Sequence, residues 1–171
     1  MSKKIAAGAD ALVLDIKVGS GAFMKSVERA GRLAETMLNI GECTGINTAA
    51  VLSNMDQPLG RAVGNAVEVD EAVSALRGEG PPDLTELCLE LGVQMAYLSG
   101  DRRNFAEIRN DLYTSMRTGK ALEKFRRMIA AQGGDTSFLD KKEGLHRSRC
   151  CFEVNAASAG CVASIDAEKI G

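Results

Sequence analysis

The hydrophobic pattern switches between short branched runs and longer stretches at helical spacing. Ala11-Leu-Val-Leu-Asp-Ile-Lys17 is a branched apolar run bounded by Gly8 and by Gly19-Ser-Gly21, which predicts a buried strand. From about Ser26 the apolar positions Val27, Ala30, Ala34, Met37 and Leu38 follow a helical period, with Gly41 and Gly45 as the expected exit. Asn47-Thr-Ala-Ala-Val-Leu-Ser53 predicts a second strand. Strand, helix and strand over this distance imply a right-handed crossover and parallel pairing.

The loop Asn54-Met-Asp-Gln-Pro-Leu-Gly60 and the turn Gly64-Asn65 lead to a helix expected from about Val67 to Leu76. Gly78-Glu-Gly-Pro-Pro82 breaks the chain, and Asp83 with Glu86 fits a capping box. Leu84, Leu87, Cys88, Leu91, Met95 and Leu98 form one apolar stripe, on which Cys88 reads as a small core hydrophobe. Asn104 with Glu107 repeats the capping signal, Ile108, Leu112 and Met116 carry the buried face, and Gly119 closes that helix. Leu122, Phe125, Met128 and Ile129 mark a further helix ended by Gly133-Gly134. After about Asp140, Cys150–Val154 and Cys161–Ile165 read as short strands around Ala157-Ser-Ala-Gly160, the beginning of a small β-rich C-terminal module over 141–171. The expected fold class is α/β: a partial α/β domain over 9–140 with parallel strands and flanking helices, followed by that module.

Composition narrows the function. The chain has 171 residues, 45% hydrophobic and 26% charged, a globular balance that excludes a disordered or collagen-like chain. With Trp absent and 4% aromatic residues, the core must be aliphatic. Lys and Arg total 21 against 23 Asp and Glu, a formal charge of −2, so no basic excess steers the protein onto nucleic acid. The Arg- and Lys-rich stretch from Arg102 to Arg127 is interleaved with acids and reads as a solvated face. No apolar run is long enough to cross a bilayer, and the start shows no signal-peptide core, so the expectation is a cytoplasmic protein without a membrane partner. The cysteines Cys43, Cys88, Cys150, Cys151 and Cys161 are scattered and form no C-x-x-C, which points away from a disulfide framework or a zinc site. The lone histidine, His146, lies in a polar stretch and reads as a solvated loop residue.

Two segments could carry chemistry. The turn Lys17-Val-Gly-Ser-Gly-Ala-Phe-Met24 joins a strand to a helix, where backbone N–H groups can approach a phosphate. A dinucleotide fingerprint would need glycine at position 24, where Met24 stands, so a tight structural turn competes with a nucleotide site. The loop from Met55 to Glu71 follows a parallel strand, the place where α/β proteins bind ligands. Its carbonyl oxygens with a carboxylate suit a hard cation, and a loop leading into a capped helix is the plainer alternative.

These blocks, "SKKIAAGADALVLDIKVGSGAFMKS" and "MDQPLGRAVGNAVEVDEA", with "ALEKFRRMIAAQGGD" and "AGCVASIDAEKIG" after them, resemble the pyrimidine nucleoside phosphorylase and thymidine phosphorylase family in order and spacing. The resemblance implies an enzyme that cleaves pyrimidine nucleosides with phosphate, giving free base and pentose 1-phosphate. It implies a cleft between a helical domain, whose last helix ends in residues 1–8, and the α/β domain. It places Lys3 against the pyrimidine ring, although taken alone Lys3 is an ordinary solvated lysine. Phe23 resembles an aromatic lining the nucleoside pocket, where packing at a helix start is its plainer reading. Leu59 and Ala62, through backbone oxygens, and Glu71 match positions that bind a potassium ion in bacterial members. No organic cofactor is implied, and the partners are a pyrimidine nucleoside, phosphate and a second subunit in a homodimer.

By the same resemblance the phosphate-binding stretch, the arginine and serine beside the base, the active-site histidine and the remaining cation ligands lie N-terminal to Met1. The expectation is therefore an incomplete chain, inactive in isolation, whose first strand lacks a sheet neighbour and favours self-association. The segment Leu145 to Cys151 departs from the family pattern by its Arg and Cys content. The alternative is a folded, non-catalytic remnant or interaction fragment.

Overall fold

In the computed structural model, which describes residues 1–141, 145, 148 and 150–171, the branched run forms strand β1 (Ala11–Val18), preceded by the short helix α1 (Ser2–Ala6). Helix α2 (Val27–Thr44) returns the chain to β2 (Asn47–Asn54), which pairs with β1 in parallel over its whole length, Ala11 opposite Asn47 and Val18 opposite Asn54. Ser26 caps α2 by accepting the Arg29 amide, as the sequence predicts, and Gly45 ends it in the left-handed region at φ 72°. Gly41 shares in that exit, its carbonyl accepting the Ile46 amide at 2.9 Å. It lies buried within α2, where any Cβ would run into the Thr48 side chain, so the missing side chain lets α2 approach β2.

The sheet has two faces because successive side chains alternate. Leu14 and Ile16 turn to α2 and form a cluster with Ala30 and Ala34, with Met1, Val18, Met24, Leu33, Met37 and Ala50 packed around it. Across the sheet, α4 (Pro82–Leu98) touches both strands and also packs on α5 (Phe105–Arg117). Helices α3 (Asn65–Leu76) and α6 (Lys120–Ala131) complete a second cluster in which Ala75, Leu89 and Met116 are buried against Leu84, Leu112 and Ala121. A short 3₁₀ turn, Ser137–Asp140, buries Leu139, and α7 (Ala167–Ile170) closes the described chain. None of the helices among the described residues is long and apolar enough to cross a membrane.

Four expectations need correction. Asp83 does not cap α4: the helix starts at Pro82, which needs no partner for a missing N–H, and the Asp83 carboxylate accepts the Gly60 amide at 2.9 Å. The α4 stripe is turned: Leu89 and Val93 are buried, whereas Cys88 is exposed and Met95 is 61% exposed. Helix α3 begins two residues early, at Asn65. Residues 150–154 and 161–165 form no strand and lie largely exposed. Two short branched segments make a hairpin that is marginal in water without further strands or a covering helix. The β-rich module is thus not seen, and His146 lies outside the described residues.

Candidate functional site

The glycine turn and the loop after β2 leave the same end of the parallel sheet. The turn closes on itself: the Gly19 amide donates to the Met24 carbonyl and the Ala22 amide to the Gly19 carbonyl, both at 3.0 Å. Ala22 is buried and Met24 packs on the α2 cluster. Phe23 between them is pushed outward and is 96% exposed, an aromatic wall facing open space.

Two remote segments meet at this turn. The Gly21 amide donates to the Met55 carbonyl at 2.9 Å, and the Ser20 amide donates to Asp56 Oδ1 at 2.7 Å. The Ser20 hydroxyl reaches the Asp56 carbonyl at 3.4 Å. Asp56 is itself aimed by an Asx turn, its amide donating to Asn54 Oδ1 at 2.9 Å. Gly19 and Gly21 make the approach possible. A Cβ on Gly19 would stand 2.6 Å from the Asp56 nitrogen, and one on Gly21 would stand 2.8 Å from the Ala167 Cβ of α7. The tail of the chain therefore packs on the turn.

Lys3 lies exposed on α1, and Met1 just before it packs on the same cluster as Met24. Lys3, predicted at the base, and Phe23, predicted in the nucleoside pocket, thus flank residues of one apolar cluster, and both side chains are exposed. Among the described residues no carboxylate forms an ion pair with Lys3.

Two of the three predicted cation residues, Ala62 and Glu71, come together. Glu71, on α3, reaches back over the loop and its Oε1 accepts the Arg61 amide at 2.9 Å and the Ala62 amide at 3.2 Å. A Cβ on Gly60 would collide with the same carboxylate, so Gly60 at φ 72° lets it sit on the backbone. Leu59 borders an adjacent hollow of about 190 Å³ shared with Pro58, Ser53 and Leu87. Oxygen is the only donor chemistry here, which fits a hard monovalent cation. Carboxylate Oε1 already serves two amides, and Oε2 accepts no hydrogen bond among the described residues.

Sequence reasoning passed over two polar groups. Asp56 lies within a recognised motif but carried no role. The second is a closed triad at the end of the sheet: Lys17 Nζ donates to Asp15 Oδ2 at 2.6 Å and to the Ser53 hydroxyl at 3.0 Å, and that hydroxyl donates to Asp15 Oδ1. Parallel pairing signals it, because Lys17 is opposite Ser53. Cys88 of α4, though exposed as a residue, lies within electrostatic reach of this triad: partial burial of its thiol pushes it up, with the Lys17 ammonium pulling the other way.

The sequence pattern of the glycosyl transferase family, a/b domain, matches residues 1–122. The chain belongs to this glycosyl transferase family. Over all 171 residues it is also 50% identical to the pyrimidine-nucleoside phosphorylases of Staphylococcus epidermidis strain ATCC 12228 and Staphylococcus aureus strain USA300. It spans 40% of the length of each, so the relatives are much longer. The resemblance read from the four sequence blocks is borne out, and the parallel strands with flanking helices fit the family's a/b domain.

Proposed function

We propose that this glycosyl transferase chain supplies the base-facing wall and cation loop of a pyrimidine nucleoside phosphorylase. The observation that carries the reading is the identity to such enzymes along the entire chain. In the reaction a phosphate oxygen bonds to the pentose C1′ as the bond from C1′ to the base nitrogen breaks. The electron pair leaves with the pyrimidine, and negative charge gathers on its ring oxygens. The Lys3 ammonium, exposed and free of any carboxylate among the described residues, meets that charge most strongly in the transition state. The outward Phe23 ring gives the nucleoside an apolar face to lie against. The same reading carries a cytoplasmic homodimer.

The test is a graft. These 171 residues replace the matching stretch of the Staphylococcus epidermidis protein, and the product is assayed with uridine and phosphate. Phosphate-dependent release of uracil and ribose 1-phosphate is expected. A folded graft that releases no uracil contradicts the reading and favours the non-catalytic alternative.

The reading includes potassium at Leu59, Ala62 and Glu71, where it would tie the loop to α3. Bound ion stabilises only the folded state, so potassium at ten times its dissociation constant should raise the chain's stability by about 1.4 kcal/mol over choline. Glu71→Gln keeps a carbonyl for the Arg61 amide but removes the charge. Urea unfolding should show the potassium increment lost in that variant; an equal increment in both chains rules the site out.

A further inference from the structure

The glycine turn and the cation loop are far apart in sequence yet joined by one side chain. Asp56 accepts the Ser20 amide at 2.7 Å, its carbonyl faces the Ser20 hydroxyl, and its own amide is fixed by Asn54. The turn's other anchor on this loop is the Gly21 amide on the Met55 carbonyl. The turn's outer side is held by Lys25, whose Nζ donates to the Ser20 carbonyl at 2.6 Å. Ser20 is thus gripped at both its amide and its carbonyl, three residues before Phe23. Beyond Asp56 the loop continues through Gln57 and Pro58 to Leu59, and Asp83 secures it at the Gly60 amide. A charged acceptor makes the Ser20 bond stronger than an ordinary amide–carbonyl bond.

We propose that Asp56 is a positioning residue for the nucleoside pocket: its carboxylate fixes the turn that presents Phe23 in register with the loop that carries Leu59 and Ala62. This rests on the reading that Phe23 faces the nucleoside. Asp56 touches no substrate in this account; it acts through Ser20. Without it the backbone that carries Phe23 would sample more positions, and binding would bear the cost of ordering it.

The chain has no Trp, so Phe23→Trp introduces a single reporter at the tip of the turn. In that background Asp56→Ala should lower the fluorescence anisotropy of the introduced indole while the far-UV circular dichroism is kept. Asp56→Asn retains an Oδ1 acceptor and should restore it. With the native Phe23, uridine binding measured by calorimetry should weaken by about tenfold in Asp56→Ala and by less than about threefold in Asp56→Asn. Equal anisotropy in Asp56→Ala and its parent overturns the proposal. If Asp56→Ala does not fold, hydrogen exchange in the unaltered chain decides. A slowly exchanging Ser20 amide supports the proposal, and one exchanging at the unprotected rate overturns it. Failure of the unaltered chain to bind uridine bears on the pocket reading alone, because the anisotropy and exchange measurements need no ligand.

Discussion

In the grafted phosphorylase, Lys3→Met should lower kcat/KM for uridine by about 10²–10³, the loss measured when one preorganised donor to a developing anion is removed. Most of that loss should fall on kcat, because the charge that the ammonium meets appears only as the glycosidic bond breaks. Folding should be unaffected, since Lys3 is exposed on a short helix and supports no packing; α1 is held instead by Met1. Lys3→Arg should recover part of the rate, as it keeps a cation but changes its shape. A Lys3→Met graft with near-normal turnover would remove Lys3 from the chemistry.

The second large effect is structural. Gly19→Ala places a Cβ 2.6 Å from the Asp56 nitrogen and 2.7 Å from the Met55 carbonyl carbon, at a backbone φ of 137°. Both obstacles are backbone, so no rotamer change relieves them. Strain at such a φ costs about 1–3 kcal/mol and forced overpacking about 1–3 kcal/mol, for an expected loss of about 2–6 kcal/mol. Gly45→Ala is the control: its φ is also positive, 72°, but nothing lies within 4 Å, so only about 1–2 kcal/mol should go. Urea unfolding of both variants checks this. A Gly19→Ala chain no less stable than Gly45→Ala would mean that the turn is not clamped against the Asp56 loop.

The first half of the fold was legible because glycine and branched residues punctuate it. Gly8 and Gly19 bracket β1, Ser26 caps α2, Gly45 ends it, and parallel pairing follows from the crossover. Phase within α4 was not legible. Leu84, Leu87, Leu89, Leu91, Val93, Met95 and Leu98 make that helix apolar nearly all round, because one side lies on the sheet and another on α5. Periodicity cannot choose between two contacted faces. The strands expected after residue 150 failed for a different reason: branched residues favour a strand only where a neighbour offers pairing and packing.

The candidate site divides in the same way. Lys3, Phe23, Leu59, Ala62 and Glu71 came from the family resemblance, and the fold brings Glu71 onto the backbone of Arg61 and Ala62, with Leu59 earlier in the same loop. Asp56 was illegible because its partner lies 36 positions earlier, and nothing local distinguishes it from any loop aspartate. The packing of α7 on Gly21 spans an even longer separation. Such contacts depend on tertiary geometry, which the pattern of one segment does not encode.

The most direct test is a crystal structure of the grafted protein with uracil bound. The account predicts Lys3 Nζ within about 2.7–3.2 Å of a ring oxygen and the Phe23 ring in contact with the same base. Uracil bound away from both side chains, or Phe23 still facing solvent while Lys3 lies out of reach, would contradict it.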